Sequence, residues 1–230
     1  MKNYFTKEWE SSYERNENHL FYPSDEIIRF FSRFIRKKKG INSFDKTINK
    51  SNRILDACCG IGGNIKFGTE MGFEMYGFDL SKNALAFSNE WLVRDLKLVQ
   101  KSNLSVSSID ELSYENNYFD HVICSNALDS MQFKIAVDGI SELYRVTKPG
   151  AFFYCSLISG NDSKFSKSFN GEINIKETHE FETVQSYFNK TKIIRLIEPL
   201  FEIISLELHN ITCNDGFIKG RWHVISKRRN

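Results

Sequence analysis

Beyond residue 51, the chain alternates between short apolar runs and amphipathic stretches. Such runs are typical of buried strands, and apolar residues at helical spacing are typical of helices packed on a sheet. Strands are predicted at Arg53–Asp56, Glu74–Asp79, Ser105–Ser108, His121–Ser125, Ala151–Leu157, Phe201–Asn210 and Gly220–Ser226. Helices are predicted at Asn64–Met71, Lys82–Gln100, Phe133–Thr147 and Glu180–Asn189. This alternation indicates a parallel sheet covered by helices on both faces.

The last two predicted strands differ from the others because only a short link, Ile211–Lys219, joins them. The link contains Asn214-Asp215-Gly216, which favours a turn, and it has no room for a helix. These two strands are therefore expected to pair antiparallel. The pattern predicts an α/β fold with a seven-stranded, mostly parallel sheet and an antiparallel last strand. A further amphipathic helix is predicted to start at Ser24, a residue type that suits a helix N-cap.

Composition narrows the class of protein. Hydrophobic residues make up 41% of the 230 residues and charged residues 26%, as in soluble globular domains. A formal charge of +2 gives no electrostatic argument for nucleic acid as a partner. No signal-peptide pattern and no apolar run long enough to span a membrane is seen, and the five cysteines lack paired spacing. These features predict a cytoplasmic protein without disulfide bonds and without a membrane partner.

The stretch ILDACCGIGGN, residues 54–64, is the strongest candidate for chemistry. Its adjacent Cys58 and Cys59 lack the second pair that a zinc site needs, so no metal site is predicted and both thiols are expected to pack at a strand–loop junction. A dinucleotide-binding loop is disfavoured because Ile65 stands where its third glycine would fall. Asp79 ends the next strand, where an acid accepts hydrogen bonds from ribose hydroxyls. The loop and this acid together favour a nucleoside ligand.

Four segments in this order resemble the motifs of the class I S-adenosylmethionine-dependent methyltransferases. They are Asp56–Asn64, GFDLS at 77–81, NNYFDHVICSNALDSM at 116–131 and ELYRVTKPGA at 142–151. The chain is most similar to small-molecule members, and a short stretch at Tyr22 resembles those of bacterial polysaccharide clusters. Cys58 departs from the motif, which has glycine there. The resemblance implies a Rossmann-like three-layer sandwich, with S-adenosyl-L-methionine as cofactor and S-adenosyl-L-homocysteine as its product.

The resemblance also implies a single domain, 1–230, in three parts. Residues 1–40 would be an N-terminal cap and first helix, residues 51–158 the cofactor-binding core, and residues 159–230 a substrate-side loop and the C-terminal strands. The cofactor-binding residues that follow from it are Asp56, Cys58, Gly60, Gly62, Asp79, Leu80, Ser108, Ile109 and Asn126. Asp56 is expected to reach the methionine amino group directly or through water, Asp79 the ribose, and Ser108 with Ile109 the adenine.

Trp9 and Tyr22 belong to an aromatic N-terminal segment. Aromatic rings near a sulfonium ion provide cation–π contacts, so both residues are included among the predicted cofactor contacts. The alternative is that this segment only fastens the first helix to the core.

A hydroxyl acceptor requires a general base, and His179 and Asp129 are the candidates. The remaining histidines of the strands, His121, His209 and His223, are expected to be structural or surface residues. The predicted reaction is methyl transfer to a small polar metabolite, with an oxygen of a sugar or sugar-like acceptor as the first expectation. An N-methyltransferase acting on a small amine, or an inert partner protein with the same fold, are the alternatives. The protein is expected to be a monomer or a homodimer that binds no nucleic acid.

Overall fold

The computed structural model describes residues 6–41, 43–45, 52–161, 168–176 and 180–230. Nine strands lie in this part of the chain, and seven of them form the main sheet. The strands are β1 Arg53–Ala57, β2 Glu74–Asp79, β3 Leu104–Val106, β4 Phe119–Cys124, β5 Thr147–Ile158, β6 Glu172–Asn174, β7 Val184–Ser186, β8 Phe201–Thr212 and β9 Ile218–Arg228. The strand order in the main sheet is β3-β2-β1-β4-β5-β9-β8, and β6 pairs with β7.

Six α-helices occur among the described residues. They are α1 Thr6–Glu14, α2 Asp25–Phe30, α3 Gly63–Glu70, α4 Lys82–Ser88, α5 Phe133–Val146 and α6 Lys190–Ile197. Helices α2 and α4 continue into wider π-type turns at Phe31–Ile35 and Asn89–Asp95, and a 3₁₀ turn covers Lys101–Asn103. In this described part of the chain, no helix combines the length and the apolarity that crossing a bilayer requires.

The direction of the strands agrees with the predicted fold class. Strands β1 to β5 run parallel, whereas β9 is antiparallel to both of its neighbours, β5 and β8. The predicted mostly parallel sheet with an antiparallel last strand is therefore confirmed. Because the parallel strands share a direction, the loops that follow β1, β2 and β4 all emerge at one edge of the sheet, and that edge is where open α/β sheets bind ligands.

Apolar side chains cover both faces of the sheet. Leu55, Val122 and Phe153 point to the face covered by α5 and α6, whereas their neighbours Ile54, Ile123 and Tyr154 point to the other face. Successive residues of a strand alternate between faces, so adjacent buried positions require cover on both sides. Helix α2 supplies part of that cover, since its fully buried Ile27 and Phe30 pack in the same cluster as Tyr154.

The helix predicted at Glu180–Asn189 is wrong. This segment contains β7, and the helix that follows it is α6, which begins after Asn189. Glu180 and Glu182 have positive φ angles of 57° and 66°, which no helix accommodates. The side chain of Asn189 accepts a hydrogen bond from the Lys192 amide at 2.9 Å, so this residue caps the helix and does not end one.

Candidate cofactor and acceptor site

The glycine loop after β1 has a backbone that few residue types adopt. Gly60 and Gly62 have φ angles of 54° and 87°, in the left-handed region that glycine occupies without penalty. A Cβ atom at Gly60 would lie 2.6 Å from the Tyr13 hydroxyl, and one at Gly63 would lie 2.4 Å from the Leu20 carbonyl oxygen. The loop therefore needs glycine both for its own turns and for the close approach of the N-terminal segment.

Cys58 is the exception in this loop, because it has a φ of 55° although it carries a side chain. A left-handed conformation costs an L-residue about 1–2 kcal/mol. The thiol faces the cleft beside the loop, and a hydrogen bond to Cys124 together with burial raises its pKa well above the usual value. The Cys58 side chain is thus a neutral thiol, which suits packing against a ligand and not nucleophilic attack.

Replacement of Cys58 tests this backbone strain. We expect Cys58→Gly to keep its free energy of unfolding within about 1 kcal/mol, because relief of strain and the larger entropy of unfolded glycine offset one another. Cys58→Val should lose about 2 kcal/mol or more, since a β-branched residue is an outlier at positive φ. Urea unfolding measures both changes. Cys213→Val, in the β8–β9 hairpin, is the matched control, and a Cys58→Val protein as stable as this control would contradict the expectation.

Asp56 is fully buried at the end of β1, and only one of its two carboxylate oxygens has a hydrogen-bond partner. Its Oδ1 accepts a hydrogen bond from the Asn64 side chain at 3.2 Å, whereas its Oδ2 has no hydrogen-bond partner in the structure. Burial raises the pKa of the Asp56 carboxyl group to about 7, and the Asn64 hydrogen bond opposes that rise. A buried acceptor without a donor is costly, which makes it a site that a ligand cation or N–H group would satisfy.

Asp79 is held at the end of β2 by backbone donors. Its Oδ2 accepts from the Gly60 amide at 2.8 Å and its Oδ1 from the Ser81 amide at 2.9 Å. Burial raises the pKa of the Asp79 carboxyl group to about 6, against the opposing effect of these hydrogen bonds. A carboxylate has acceptor capacity beyond two hydrogen bonds, so this side chain is both fixed and still able to accept hydrogen bonds from hydroxyl groups.

One cleft with two chemically different halves opens at this edge of the sheet. The apolar half is lined by Trp9, Tyr13, Cys58, Asp79, Leu80, Ser107, Ser108, Ile109, Asn126, Ala127, Ser130, Met131 and Ile135. The polar half is lined by Trp9, Tyr13, Asn18, Leu20, Tyr22, Pro23, Ser24, Cys58, Cys59, Gly60, Ile61, Gly63, Asn64, Ser125, Asn126, Ser130, Glu180, Gln185 and Arg221. The residues common to both halves are Trp9, Tyr13, Cys58, Asn126 and Ser130, so the halves meet there.

The structure brings most of the predicted cofactor contacts into this cleft. Asp79, Leu80, Ser108 and Ile109 line the apolar half, and Gly60 and Tyr22 line the polar half. Trp9, Cys58 and Asn126 line both halves. Asp56 and Gly62 are not among the lining residues, although Asn64, which donates a hydrogen bond to Asp56, lines the polar half. Their roles toward a ligand stay predictions.

Helix α1 is an element that the sequence did not reveal. It places Trp9 and Tyr13, four residues apart and thus on one helix face, over the cleft. Glu10 docks the helix, because its carboxylate accepts from the amides of Lys82 at 2.7 Å and Asn83 at 2.9 Å, at the start of α4. Acceptors at a helix start are stabilising because the first amides lack partners within the helix. In the sequence, the spacing of Trp9 and Tyr13 by four residues was the feature that could have predicted this helix.

The two predicted general bases have different outcomes. His179 lies outside the described residues. Asp129 is buried with 1% exposure and lines neither half of the cleft. Its Oδ2 accepts from the Ile158 amide at 2.7 Å and from the Arg221 guanidinium at 2.9 Å. This geometry makes Asp129 an anchor for Arg221, and its role as a base stays a prediction.

Arg221 itself was not among the predicted site residues. It lies on β9, lines the polar half, and keeps about a third of its side chain exposed while it is paired with Asp129. Gln185 and Glu180 also line the polar half. These three residues are far from the motif region in sequence, and only the antiparallel β9 brings Arg221 next to β5.

Comparison with known proteins agrees with this geometry. Residues 54–150 match the family model described as "Methyltransferase domain". The demethylmenaquinone methyltransferase of Oceanobacillus iheyensis is 31% identical over 153 residues, which is 63% of this chain and 63% of that protein. The chain thus spans less than two thirds of the length of this relative.

Solved structures share the fold at low sequence identity. A SAM-dependent methyltransferase of Methanosarcina mazei has a TM-score of 0.64 and 22% identity, covering 79% of this chain and 94% of its own. The 1,6-didemethyltoxoflavin-N1-methyltransferase of Burkholderia thailandensis was solved with bound 1,6-didemethyltoxoflavin and S-adenosylhomocysteine. It has a TM-score of 0.67 and 14% identity, covering 98% of this chain and 88% of its own. These structures agree with the predicted Rossmann-like fold, and the match of residues 54–150 agrees with the predicted methyltransferase resemblance.

Proposed function

We propose that this chain, whose residues 54–150 match a methyltransferase domain, is a class I S-adenosylmethionine-dependent enzyme that transfers a methyl group to a small polar metabolite. The observation that carries the proposal is the single cleft with an apolar half beside Asp79 and a polar half that Arg221 helps to line. A nucleoside and a polar acceptor require these two environments, and they must meet where the methyl group is exchanged. In this cleft the halves meet at Cys58, Asn126 and Ser130.

The residues present fit the cofactor. Leu80 and Ile109 offer apolar surface for the adenine, and Asp79 offers fixed oxygens for the ribose hydroxyls. The unpartnered Oδ2 of Asp56 is suited to the ammonium group of the methionine moiety, and Asn126 lies where the two halves join. S-adenosylmethionine supplies an electrophilic methyl group on a sulfonium centre, so the chain has to position reactants and not to create the electrophile.

The contribution of the chain is then orientation and exclusion of water. Helix α1 places Trp9 and Tyr13 at both halves of the cleft, where their rings would exclude water and would offer cation–π contacts to a bound sulfonium. Asn126 is oriented by Ser156, whose hydroxyl donates to the Asn126 side-chain oxygen at 2.8 Å and accepts from the Asn126 amide at 2.9 Å. A side chain fixed in this way is ready to contact a ligand without further ordering.

The acceptor is proposed to be a sugar or sugar-like molecule, methylated on oxygen. The polar half supports this choice because it presents amide, hydroxyl and guanidinium groups from Asn18, Asn64, Ser125, Gln185 and Arg221. Arginine binds phosphate and carboxylate oxygens through two parallel hydrogen bonds, which suits a nucleotide-linked sugar. A relative named demethylmenaquinone methyltransferase raises an apolar quinol as a competing acceptor.

Labelled methyl transfer tests the acceptor class. The protein would be incubated with S-adenosylmethionine carrying a labelled methyl group and with nucleotide-linked sugars, free sugars, small amines or a short-chain demethylmenaquinol. We expect label on an oxygen of a sugar-containing acceptor. Transfer only to the quinol or only to amines would overturn the proposed acceptor and leave methyl transfer standing, whereas failure to bind S-adenosylmethionine would overturn the function itself.

Arg221 offers a sharper test of acceptor binding. We expect Arg221→Lys to raise the acceptor KM by about tenfold or more, because lysine keeps the charge but loses the paired hydrogen bonds. The Kd for S-adenosylmethionine should change little, since Arg221 does not line the apolar half. Arg195→Lys, at an exposed position of α6, is the matched control. Equal KM values for the two variants would remove Arg221 from the acceptor site.

A further inference from the structure

One carboxylate and two imidazoles come together away from the glycine loop, where α2 crosses the β8–β9 pair. They belong to Glu26, His209 and His223, and one ligand atom of each lies within 4.8 Å of the others. The strand register places Glu207 opposite His223 and His209 opposite Arg221, so the two histidines are diagonal neighbours on one face. Their ring centroids are 4.5 Å apart. Within the described part of the chain, this is the one such group.

Each histidine has a partner on one ring nitrogen that leaves its other nitrogen for the centre of the cluster. Nδ1 of His223 shares a hydrogen bond of 2.8 Å with the Tyr154 hydroxyl. Nε2 of His209 lies 3.3 Å from Oε2 of Glu207, while its Nδ1 lies 3.3 Å from Oε1 of Glu26. Histidines that bind metals have such outer partners, which fix the ring orientation and the tautomer.

We propose that Glu26, His209 and His223 bind a divalent transition metal ion, with zinc as the best match. Two imidazoles and one carboxylate form a known zinc donor set that leaves a fourth position for water. Bonds of about 2.0–2.1 Å in a tetrahedron place the donors roughly 3.4 Å apart, and the Glu26–His209 contact already has this separation. The side chains of Glu26 and His209 are partly exposed, 25% and 41%, so they are free to close on an ion that enters from solvent.

The electrostatic surroundings favour a cation. Glu26 and Glu207 contribute two carboxylates. Arg221 lies opposite His209 in the sheet, but its guanidinium is paired with Asp129 at 2.9 Å. Arg33 is a further cation that acts on Glu207.

The cluster of Glu26, His209 and His223 is close in sequence to two residues of the polar half of the cleft, so a bound ion would affect that part of the site. Ser24, two residues before Glu26, and Arg221, two residues before His223, both line the polar half of the cleft. An ion bound here would fasten α2 to β8 and β9 and so would fix that wall of the acceptor end. Sequence spacing does not reveal such a site because Glu26 and His223 lie 197 residues apart (223 − 26). The prediction of no metal site considered only the cysteine pair.

Titration of untagged, chelator-treated protein with zinc and with cobalt tests the proposal. We expect one zinc ion per chain with micromolar or tighter affinity, and a visible cobalt spectrum of four- or five-coordinate type. At a zinc concentration about 100 times the Kd, the unfolding midpoint should rise by several degrees, and magnesium should have no effect.

His209→Gln and Glu26→Gln should each weaken binding by about tenfold or more. Glu202→Gln, an exposed acid on the same strand β8, is the matched control and should bind like the wild type.

The same experiments have clear contrary outcomes. Absence of zinc and cobalt binding, or equal binding by His209→Gln and wild type, would overturn the proposal. A cobalt spectrum with a thiolate charge-transfer band would also overturn it, because the ion would then sit on cysteine. His209 is partly exposed, so its replacement is compatible with folding, which circular dichroism checks. The outcome is independent of methyl transfer, since every measurement is made without cofactor or acceptor.

Discussion

Replacement of Asp79 by alanine should reduce the affinity for S-adenosylmethionine and S-adenosylhomocysteine by about 100-fold or more. The variant loses the acceptor for two ribose hydroxyls, and each hydrogen bond to a charged group is worth about 1.5–3 kcal/mol. A total on the order of 3 kcal/mol corresponds to about 100-fold in Kd. The amides of Gly60 and Ser81 also lose their partner, so the glycine loop loses a support that sets its position. Calorimetric titration with both ligands measures the change.

Two further variants show whether this loss comes from the ribose contact. Asp79→Asn keeps one acceptor oxygen but sets an NH₂ group against a backbone amide, so its affinity should fall between those of wild type and Asp79→Ala. Asp138→Ala, an exposed acid on α5, is the matched control and should bind both ligands like wild type. Circular dichroism checks that each variant is folded. Wild-type affinity in Asp79→Ala would show that the nucleoside does not bind at the end of β2.

The sequence predicted the fold best at the ligand-binding edge of the sheet, where the strands are short apolar runs and their ends are also the candidate ligand contacts. Strand β2 was predicted with its observed bounds, Glu74–Asp79, and the loop at residues 58–63 follows β1 as expected. In this region β2 ends at Asp79, β1 carries Asp56 as its next-to-last residue, and Ser125 and Asn126 follow β4, so polar residues gather where the chain turns at the ligand-binding edge of the sheet. Most residues that line the apolar half are therefore close in sequence to these strand ends, whereas Trp9 and Tyr13 come from α1.

The acceptor end was not predictable in the same way. Arg221 reaches the cleft only because β9 runs antiparallel beside β5, and its orientation depends on a buried aspartate 92 residues earlier in the chain (221 − 129). Helix α1 was missed because its cover of the cleft depends on the contact between Glu10 and the start of α4. The helix was predicted too early in the chain, over β7 in place of α6, because the short run of buried side chains in β7 fits a strand or a helix equally well. Long-range contacts of this kind leave no periodic trace.

We expect the Asp56 carboxyl group to lower the free energy of unfolding and to raise the affinity for the cofactor. The variant Asp56→Asn should therefore be more stable and should bind the cofactor more weakly. Its pKa of about 7 in the fold exceeds its value of 3.8 in an unfolded chain. The folded state therefore keeps a proton that the unfolded state has released, and stability falls as pH rises between these values. At about pH 8 the asparagine variant should be more stable than wild type by on the order of 2–4 kcal/mol, and near pH 4 the two should be similar.

Cofactor binding should change with pH in the opposite sense. An ionised Asp56 would pair its free Oδ2 with the ligand ammonium, so wild-type affinity should improve several-fold from about pH 6 to about pH 7.5. Asp56→Asn should bind at least about tenfold more weakly at the higher pH, and only the roughly twofold change due to Asp79 should remain. Urea unfolding and calorimetry at these pH values measure both trends, with Asp138→Asn as the control. A variant less stable than wild type near pH 8 would mean that the buried carboxylate is already satisfied within the protein, and its assignment to the ammonium group would fail.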